Sequence, residues 1–473
     1  MLNLVLLFPI CCLGQMTTWD KTYDLNQQDY GTGIVEAFDG GFVLTGYTGG
    51  DDWPNLLIMK LASNGDTVWT KVYADEGHSK GNRIIQTSDS GYIIAGFTCE
   101  NEFYFDYRMF ILKINQTGDT IWTKKHDESN MSAGSIVKTF DGNYVIAGGP
   151  GPGSNAKTIL LKLNENGELI WEKTYVFEDS ATPDGLHFLE QTADSGFIMS
   201  GSKSEGFNLS DVWLMRLNKD GDTLWTKLYG DPLVHDFGTY AIQADTSGYI
   251  LTTIRDIPNY QNNYLVIIKL DNNGNFLWEK IYGGNAIQGI SHLKKTINND
   301  FVGTGYFGSS NGNRELYIVR FNNYGDTIWT RAYPQNARSY GNDIIQLSDI
   351  GFIVSGGSSN GNSFYEDIRV LKLDEMGLVT SAESKETTNR NLLRNYPNPF
   401  QDYTTIEISP GIGHVCLTIY NSQGLLIKEV DLSDTNHYKT TFQFDSRDIP
   451  LGIYYCCLKT VKGIQSIKMI KTH

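Results

Sequence analysis

Three groups of side chains in this 473-residue chain offer reactive or binding groups at regular spacing. The first is a tryptophan with a basic residue two positions on and usually a tyrosine two further: Trp19-Lys21-Tyr23, Trp69-Lys71-Tyr73, Trp122-Lys124 with His126, Trp171-Lys173-Tyr175, Trp225-Lys227-Tyr229, Trp278-Lys280-Tyr282 and Trp329-Arg331-Tyr333. Aromatic faces beside a cation suit sugar stacking. Recurrence in nearly every copy favours packing instead, with the lysine stem lying over the ring. A second basic set, Lys60, Lys113, Lys162, Arg216, Lys269, Arg320 and Lys372, is expected to pair with turn aspartates.

The second group is acidic turns: Asp39-Gly40-Gly41, Asp89-Ser90-Gly91, Asp141-Gly142-Asn143, Asp194-Ser195-Gly196, residues 245–248 and 298–300, and Asp349-Ile350-Gly351. Clustered carboxylates take hard cations, but each turn has one reliable carboxylate and no EF-hand loop is present. Left-handed turn geometry explains them better, so no metal or cofactor is expected from them. The third group is five acids, Glu36, Asp184, Glu190, Asp236 and Asp343. A glycosidase pair leaves no local motif and depends on distance in the fold. No Gly-x-Ser-x-Gly elbow, His-Glu-x-x-His or phosphate loop occurs, so no catalytic residue is assigned.

The element that positions these groups is a repeat. The tryptophans are separated by 50, 53, 49, 54, 53 and 51 residues, a period that marks a repeat architecture. Each copy reads as four short strands: the Trp strand, an apolar run such as Arg83-Ile84-Ile85-Gln86, a strand after the acidic turn such as Gly91-Tyr92-Ile93-Ile94, and a third apolar strand such as residues 110–114. A lone four-stranded sheet leaves an apolar face uncovered, whereas a ring of them covers every face. The expected fold is therefore all-β, a seven-bladed propeller over residues 15–380. The strand at residues 17–23, which has no strands of its own before it, should complete the seventh blade beside residues 368–373. Residues 377–380 either compete for that place or begin a linker.

Charged residues are 19% and aromatics 12% of the chain, with 49 glycines, which excludes coiled coil and disorder. Lysine and arginine total 38 against 54 acids, a net charge of −16 that repels phosphate backbones, so nucleic acid is not an expected partner. Residues 2–13 (LNLVLLFPICCL) are too short to span a bilayer and fit a secretory signal over 1–14, without the usual basic start. No other run approaches a transmembrane length. Cys416 with Cys456 or Cys457 would suit a bridge between neighbouring strands, the alternative being small buried residues.

Residues 112–122 (LKINQTGDTIW) resemble the blade motif of quinoprotein dehydrogenase-like propellers. The resemblance implies that the Trp strand is outermost and that the Ile-Ile-Gln strand lines the channel. The adjacent cysteines such dehydrogenases use are missing from the propeller, which has only Cys99, so that activity and its cofactor are not expected.

Residues 381–393 read as a solvated linker. Alternating strands about ten residues apart then indicate a small β-sandwich over 394–473. The opening Tyr396-Pro397-Asn398-Pro399-Phe400, then Thr404-Thr405-Ile406, Tyr420-Asn421, Gly452-Ile453-Tyr454 and Lys468 resemble the type A C-terminal sorting domain of the type IX secretion system of Bacteroidetes-like bacteria. That resemblance implies export across the outer membrane, removal of the domain by a surface sortase-like protease, and release or attachment to surface lipopolysaccharide. The expectation is a secreted or surface-displayed binding module for a glycan or protein, through loops at 177–186, 231–238, 259–263 and 308–314; the alternative is a polysaccharide-active enzyme using the five acids.

Overall fold

The computed structural model describes residues 17–49, 54–73, 77–99, 107–150, 157–176, 183–204, 210–230, 234–245, 248–256, 263–282, 287–308, 314–335, 338–359, 366–379, 393–408, 415–421, 426–432, 440–460 and 463–472. The apolar run at 2–13 and the linker at 381–392 lie outside them. The chain divides into two compact units, Met1–Val379 and Thr380–His473.

In the first unit the described strands form seven four-stranded antiparallel sheets. Their inner strands are Asp29–Glu36, His78–Gln86, Met131–Lys138, Pro183–Gln191, His235–Asp245, Ile287–Lys295 and Ser339–Gln346. Their outer strands are Thr67–Tyr73, Thr120–Ser129, Leu169–Val176, Thr223–Tyr229, Phe276–Tyr282, Thr327–Tyr333 and, for the last sheet, Trp19–Tyr23. Trp19–Tyr23 pairs antiparallel with the third strand of that sheet, Trp19 opposite Lys372 and Tyr23 opposite Ile368. The outer place is thus filled from the start of the chain. Gly377 instead makes the turn that follows the third strand, its N–H donating to Asp374 O.

Burial explains the layering. Third strands such as Asn55–Leu61 (NLLIMKL) are apolar almost throughout and buried on both faces, while outer strands such as Thr67–Tyr73 alternate exposed and half-buried residues. The main clusters of this core are each shared by adjacent sheets, two in most and three in one. Ile34, Phe42, Leu57 and Met59 of the first sheet pack with Trp19, Ile353, Ile368 and Val370 of the last. Each such side chain contributes about 1.5–3 kcal/mol when fully buried, so no sheet is stable without its neighbours.

The ring closes between the last sheet and the first. Asn342 Nδ2 donates to Gly31 O at 2.8 Å, and Ser348 N and Oγ donate to Glu36 at 2.8 and 2.7 Å. The closing strand is also held by Asp20, whose carboxylate takes two bonds from Arg369, Nε at 3.0 Å and Nη2 at 2.7 Å.

The second unit has two sheets. One contains Leu393–Tyr396, Tyr403–Ile408 and Thr440–Asp445; the other contains Leu426–Leu432, Val415–Asn421, Gly452–Thr460 and Gly463–Lys471. Leu393, Ile406, Ile408 and Phe444 of the first meet Leu417, Ile419, Cys456, Leu458 and Met469 of the second in one core. Cys456 is a buried free thiol, and Cys457 and, in the first unit, Cys99 are also buried.

Candidate functional site

The repeated trio engages the turn of the following sheet. Tyr73 Oη donates to Gly118 O at 2.5 Å, Tyr175 to Gly221 O at 2.5 Å, Tyr229 to Gly274 O at 2.6 Å, Tyr333 to Gly377 O at 2.5 Å and Tyr23 to Gly65 O at 2.6 Å. The lysines reach the adjacent acid, Lys21 to Asp66 at 2.7 Å, Lys71 to Asp119 at 2.6 Å and Lys173 to Asp222 at 2.8 Å. The indole rings lie against the turn glycines: a Cβ on Gly65, whose φ is +83°, would stand 2.8 Å from the Trp19 ring. Trp69, Trp122, Trp171, Trp225, Trp278 and Trp329 meet Gly118, Gly167, Gly221, Gly274, Gly325 and Gly377 in the same way. In the second sheet's outer strand His126 replaces the tyrosine and stands 3.5 Å from Glu172.

The second basic set is paired within its own sheet. Lys60 meets Asp39 at 2.6 Å, Lys113 meets Asp89 at 2.7 Å, Lys162 meets Asp141 at 2.6 Å, Arg320 meets Asp300 at 2.7 Å and Lys372 meets Asp349 at 3.1 Å. Arg216 makes the same contact with Asp194 and Lys269 a longer one with Asp245, at 3.9 Å. Burial raises the Asp89 carboxyl, but Lys113, Thr87 and the Gly91 amide outweigh it and hold the group at about 2.

A different set converges on the axis. Each inner strand has a β-bulge against its partner, at Gly31/Gly33, Gly81/Arg83, Ala133/Ser135, Leu186/Phe188, Gly238/Tyr240, Ile290/His292 and Gly341/Asp343. A bulge re-aims the side chain that follows it. Those side chains belong to Gly33, Arg83, Ser135, Phe188, Tyr240, His292 and Asp343, a different residue type in every sheet.

Arg83 of the second sheet reaches Tyr240 of the fifth, Nη2 to Oη at 2.6 Å, and its Nη1 donates to Thr32 O at 3.1 Å. The Tyr240 ring lies 4.8 Å from Phe188 and 5.1 Å from His292. His292 Nδ1 is 2.6 Å from Asp343 Oδ1 and accepts from Ile344 N at 3.3 Å. Asp343 Oδ2 accepts from Ile34 N at 2.9 Å. Burial pushes the His292 imidazole down to about 4, aided by Arg83 and Lys294 and opposed by Asp343. Burial would raise Asp343; His292, Arg83 and the Ile34 amide outweigh it and hold the carboxyl below its usual range. The imidazole is therefore neutral at pH 7.

The five acids all lie on inner strands, but each has its own surroundings. Glu36 bonds Ser348. In other sheets glutamine makes the equivalent latch: Phe140 N donates to Gln191 Oε1 at 2.8 Å and Ala193 N to Gln243 Oε1 at 2.7 Å. Asp236 is fully buried against Arg255 at 3.0 Å. Asp343 belongs to the axial network, and the Asp184 side chain lies outside the described residues. Glu190, two residues past Phe188, is pushed up to about 7 by burial, against the pull of Lys294, the Gln243 amide and Lys295. Its Oε2 is buried without a hydrogen-bond partner. Among the described residues the charges that act on Glu190 are those of Lys294 and Lys295.

At the end of the channel where the longer connections begin, half-buried aromatics of the first and last sheets gather beside a lysine of the second. Tyr30 and Tyr47 stack at 4.5 Å, and Lys80 Nζ sits 3.8 Å over Tyr47. Tyr340 lies close enough to both phenols for them to affect its titration, and donates to Glu366. The loops at 177–186, 231–238, 259–263 and 308–314 lie mostly outside the described residues, apart from the strand ends they include.

In the second unit Phe400 is in the core, and its N–H and C=O bond Ile470 O at 2.9 Å and Thr472 N at 2.8 Å. Tyr396-Pro397 and Asn398-Pro399 are cis. Asn398 bonds the last strand, donating to Lys468 O at 2.7 Å and accepting from Ile470 N at 2.8 Å. Pro397 O accepts from Thr404 Oγ1 at 2.9 Å, and Tyr454 Oη donates to Pro450 O at 2.6 Å. Gly452 has φ +152°, while Tyr396 is 48% exposed. Lys468 is exposed; Lys471 is the buried lysine, donating to Ser446 O and, at 2.7 Å, to Ile449 O.

The axial residues other than Asp343 are absent from the sequence reading, although a signal existed. Gly33, Arg83, Ser135, Phe188, His292 and Asp343 each stand six positions before the Asp or Asn that opens the turn. Their variety hid them from a search for repetition.

Residues 394–472 match the family described as a secretion system C-terminal sorting domain. No curated protein matches the chain. Among solved structures, a mutant puromycin hydrolase complexed with PGG is similar at 10% identity and TM-score 0.50, over 82% of this chain and 59% of that one. The β-propeller domain of the Trilobed protease from Pyrococcus furiosus is similar at 12% identity and TM-score 0.40, over 77% of this chain and 97% of that one. A protein of unknown function from Bacteroides caccae is similar at 13% identity and TM-score 0.40, over 65% and 94%. The first unit is a β-propeller, and no helix among the described residues is long and apolar enough to cross a membrane.

Proposed function

We propose, for a chain whose last segment is a type IX secretion sorting domain that sends it to the cell surface or the medium, that the propeller is a seven-bladed binding module for a carbohydrate. The observation that carries this reading is the half-buried stack of Tyr30 on Tyr47 with Lys80 over its face and Tyr340 beside it. Aromatic faces with a nearby cation suit sugar rings and their hydroxyls. The outer tryptophans, by contrast, serve packing between blades.

The boundaries follow: a signal over 1–14, the propeller over 15–380, a linker over 381–393 and a sorting domain over 394–473 that a surface sortase removes. Phe400, Asn398, Tyr454 and Gly452 build that domain, and exposed Tyr396 and Lys468 are available to the export machinery. Surface or culture-fluid protein should lack peptides beyond about residue 395.

The ligand test is the full chain on a panel of bacterial, plant and algal polysaccharides, with binding and product masses read in the same samples. Binding without new products, weakened tenfold or more by Tyr47→Ala, is the expected result. A wild-type protein that binds no member of the panel, or a Tyr47→Ala variant that binds as well as wild type, overturns the reading. One observation favours a second reading, a polysaccharide-active enzyme: a carboxyl near neutrality is poised for general acid-base work, and Glu190 is such a group. New oligosaccharides that disappear with Glu190→Gln would establish it.

A further inference from the structure

The seam between the last and first sheets brings together three acids that are distant in sequence. Asp24 lies in the connection after the closing strand, Asp29 begins the first inner strand, and Asp367 is on the third strand of the last sheet. One carboxylate oxygen from each lies within 4.8 Å of the other two. Asp29 is fully buried and Asp367 is 8% exposed. Asp29 Oδ2 accepts from Leu25 N at 2.9 Å and the Thr48 hydroxyl lies beside the carboxylate, while Oδ1 is buried with no well-aligned donor. Among the described residues Asp367 has neither a hydrogen-bond donor nor a basic side chain beside it; the charges that act on it are Asp24 and Asp29. Burying unpaired like charges together is costly unless a cation joins them.

The fifth sheet shows how the fold balances such an acid. Asp236 stands two residues before the bulge Gly238, as Asp29 stands two before Gly31. Opposite Asp236 is Arg255, which bonds it at 3.0 Å. Opposite Asp29 is Thr48, and no arginine takes that place. Burial raises both Asp29 and Asp367, so the seam is balanced either by protons or by a cation from solution.

We propose that Asp24, Asp29 and Asp367 bind one calcium ion, which pins the closing strand, the first sheet and the last sheet together. All three donors are hard oxygens, which excludes the soft metals. Carboxylates drawn from three separate chain segments suit calcium's flexible shell better than the near-ideal octahedron magnesium demands. Backbone carbonyls and water complete the shell of a calcium ion readily. An exported protein meets calcium at concentrations that fill even weak sites. This inference does not depend on the carbohydrate reading.

The test uses the full chain, stripped with chelator and then titrated with calcium by calorimetry and by thermal unfolding. One ion per chain is expected, with a rise in Tm of about 2 °C or more at millimolar calcium. Asp367→Asn should lose both the binding and the shift, and in chelator it should melt no lower than wild type, because it relieves repulsion. Asp24→Asn, at an exposed position in the connection, should fold as wild type and bind calcium at least tenfold more weakly. Four outcomes overturn the proposal: no calcium binding by wild type, unchanged calcium affinity in Asp24→Asn, Asp367→Asn melting lower in chelator than wild type, or an equal Tm shift with magnesium.

Discussion

The outer layer of the propeller repeats itself and the axial layer does not. At each seam an outer tryptophan covers a turn glycine, and in most a tyrosine bonds that glycine's carbonyl. At the axis the bulge is present in every sheet, yet it presents glycine, arginine, serine, phenylalanine, tyrosine, histidine and aspartate in turn. The backbone position is constant and the side chain is not. A residue that must fit the same partner in each blade is fixed by that partner. A residue that meets six different neighbours around an axis is fixed by the whole ring.

The largest expected break in this comparison is Trp225→Ala, which removes the ring from Gly274 and should lower stability by about 3 kcal/mol. Denaturant unfolding measures it, and a loss below about 1 kcal/mol would remove the packing role from the outer layer. Next is Glu190→Gln in the inner layer. Burial raises the Glu190 carboxyl to about 7, above its unfolded value, so the wild type loses stability as pH rises from about 4.5 to 7. The variant should therefore be about 2 kcal/mol more stable than wild type at pH 8 and no more stable at pH 4; unfolding at both values tests the sign.

Tyr73→Phe deletes the bond to Gly118 O and should cost about 1 kcal/mol, read as a shift in denaturant midpoint at constant slope. The smallest effect should be a gain. Ile350 has φ +65° in the turn of the last sheet, where glycine, serine or asparagine stands in the other described turns, and branched residues are strained there. Ile350→Gly should stabilise by about 0.7 kcal/mol, and a loss of stability would mean that its side chain, 40% exposed, makes a contact that matters.

Repetition made much of this legible. Seven tryptophans at a steady interval imply a ring of sheets, and the unaccompanied strand at the start implies the exchange seen in the pairing of Trp19 with Lys372. The acids were harder. Glu36 reads as a channel acid, but it does the work that Gln191 and Gln243 do elsewhere, because it ends an inner strand beside the preceding turn. The Arg83–Tyr240 and His292–Asp343 contacts join residues 157 and 51 apart, and no local pattern encodes which opposite sheet a bulged side chain will meet. The same holds for Lys471, whose ammonium is buried, while the motif position Lys468 points outward.

The exchange of the first strand into the last sheet also sets a timetable. Trp19 and its partner Lys372 are 353 residues apart. At roughly 5–20 residues per second of synthesis, the partner appears about 18–70 s after the strand it must hold. Throughout that interval the strand has no place to dock, and the six sheets made in between can form without it. The ring is therefore an open arc for as long as it is being made, and it becomes a closed body only when its oldest and youngest propeller segments meet.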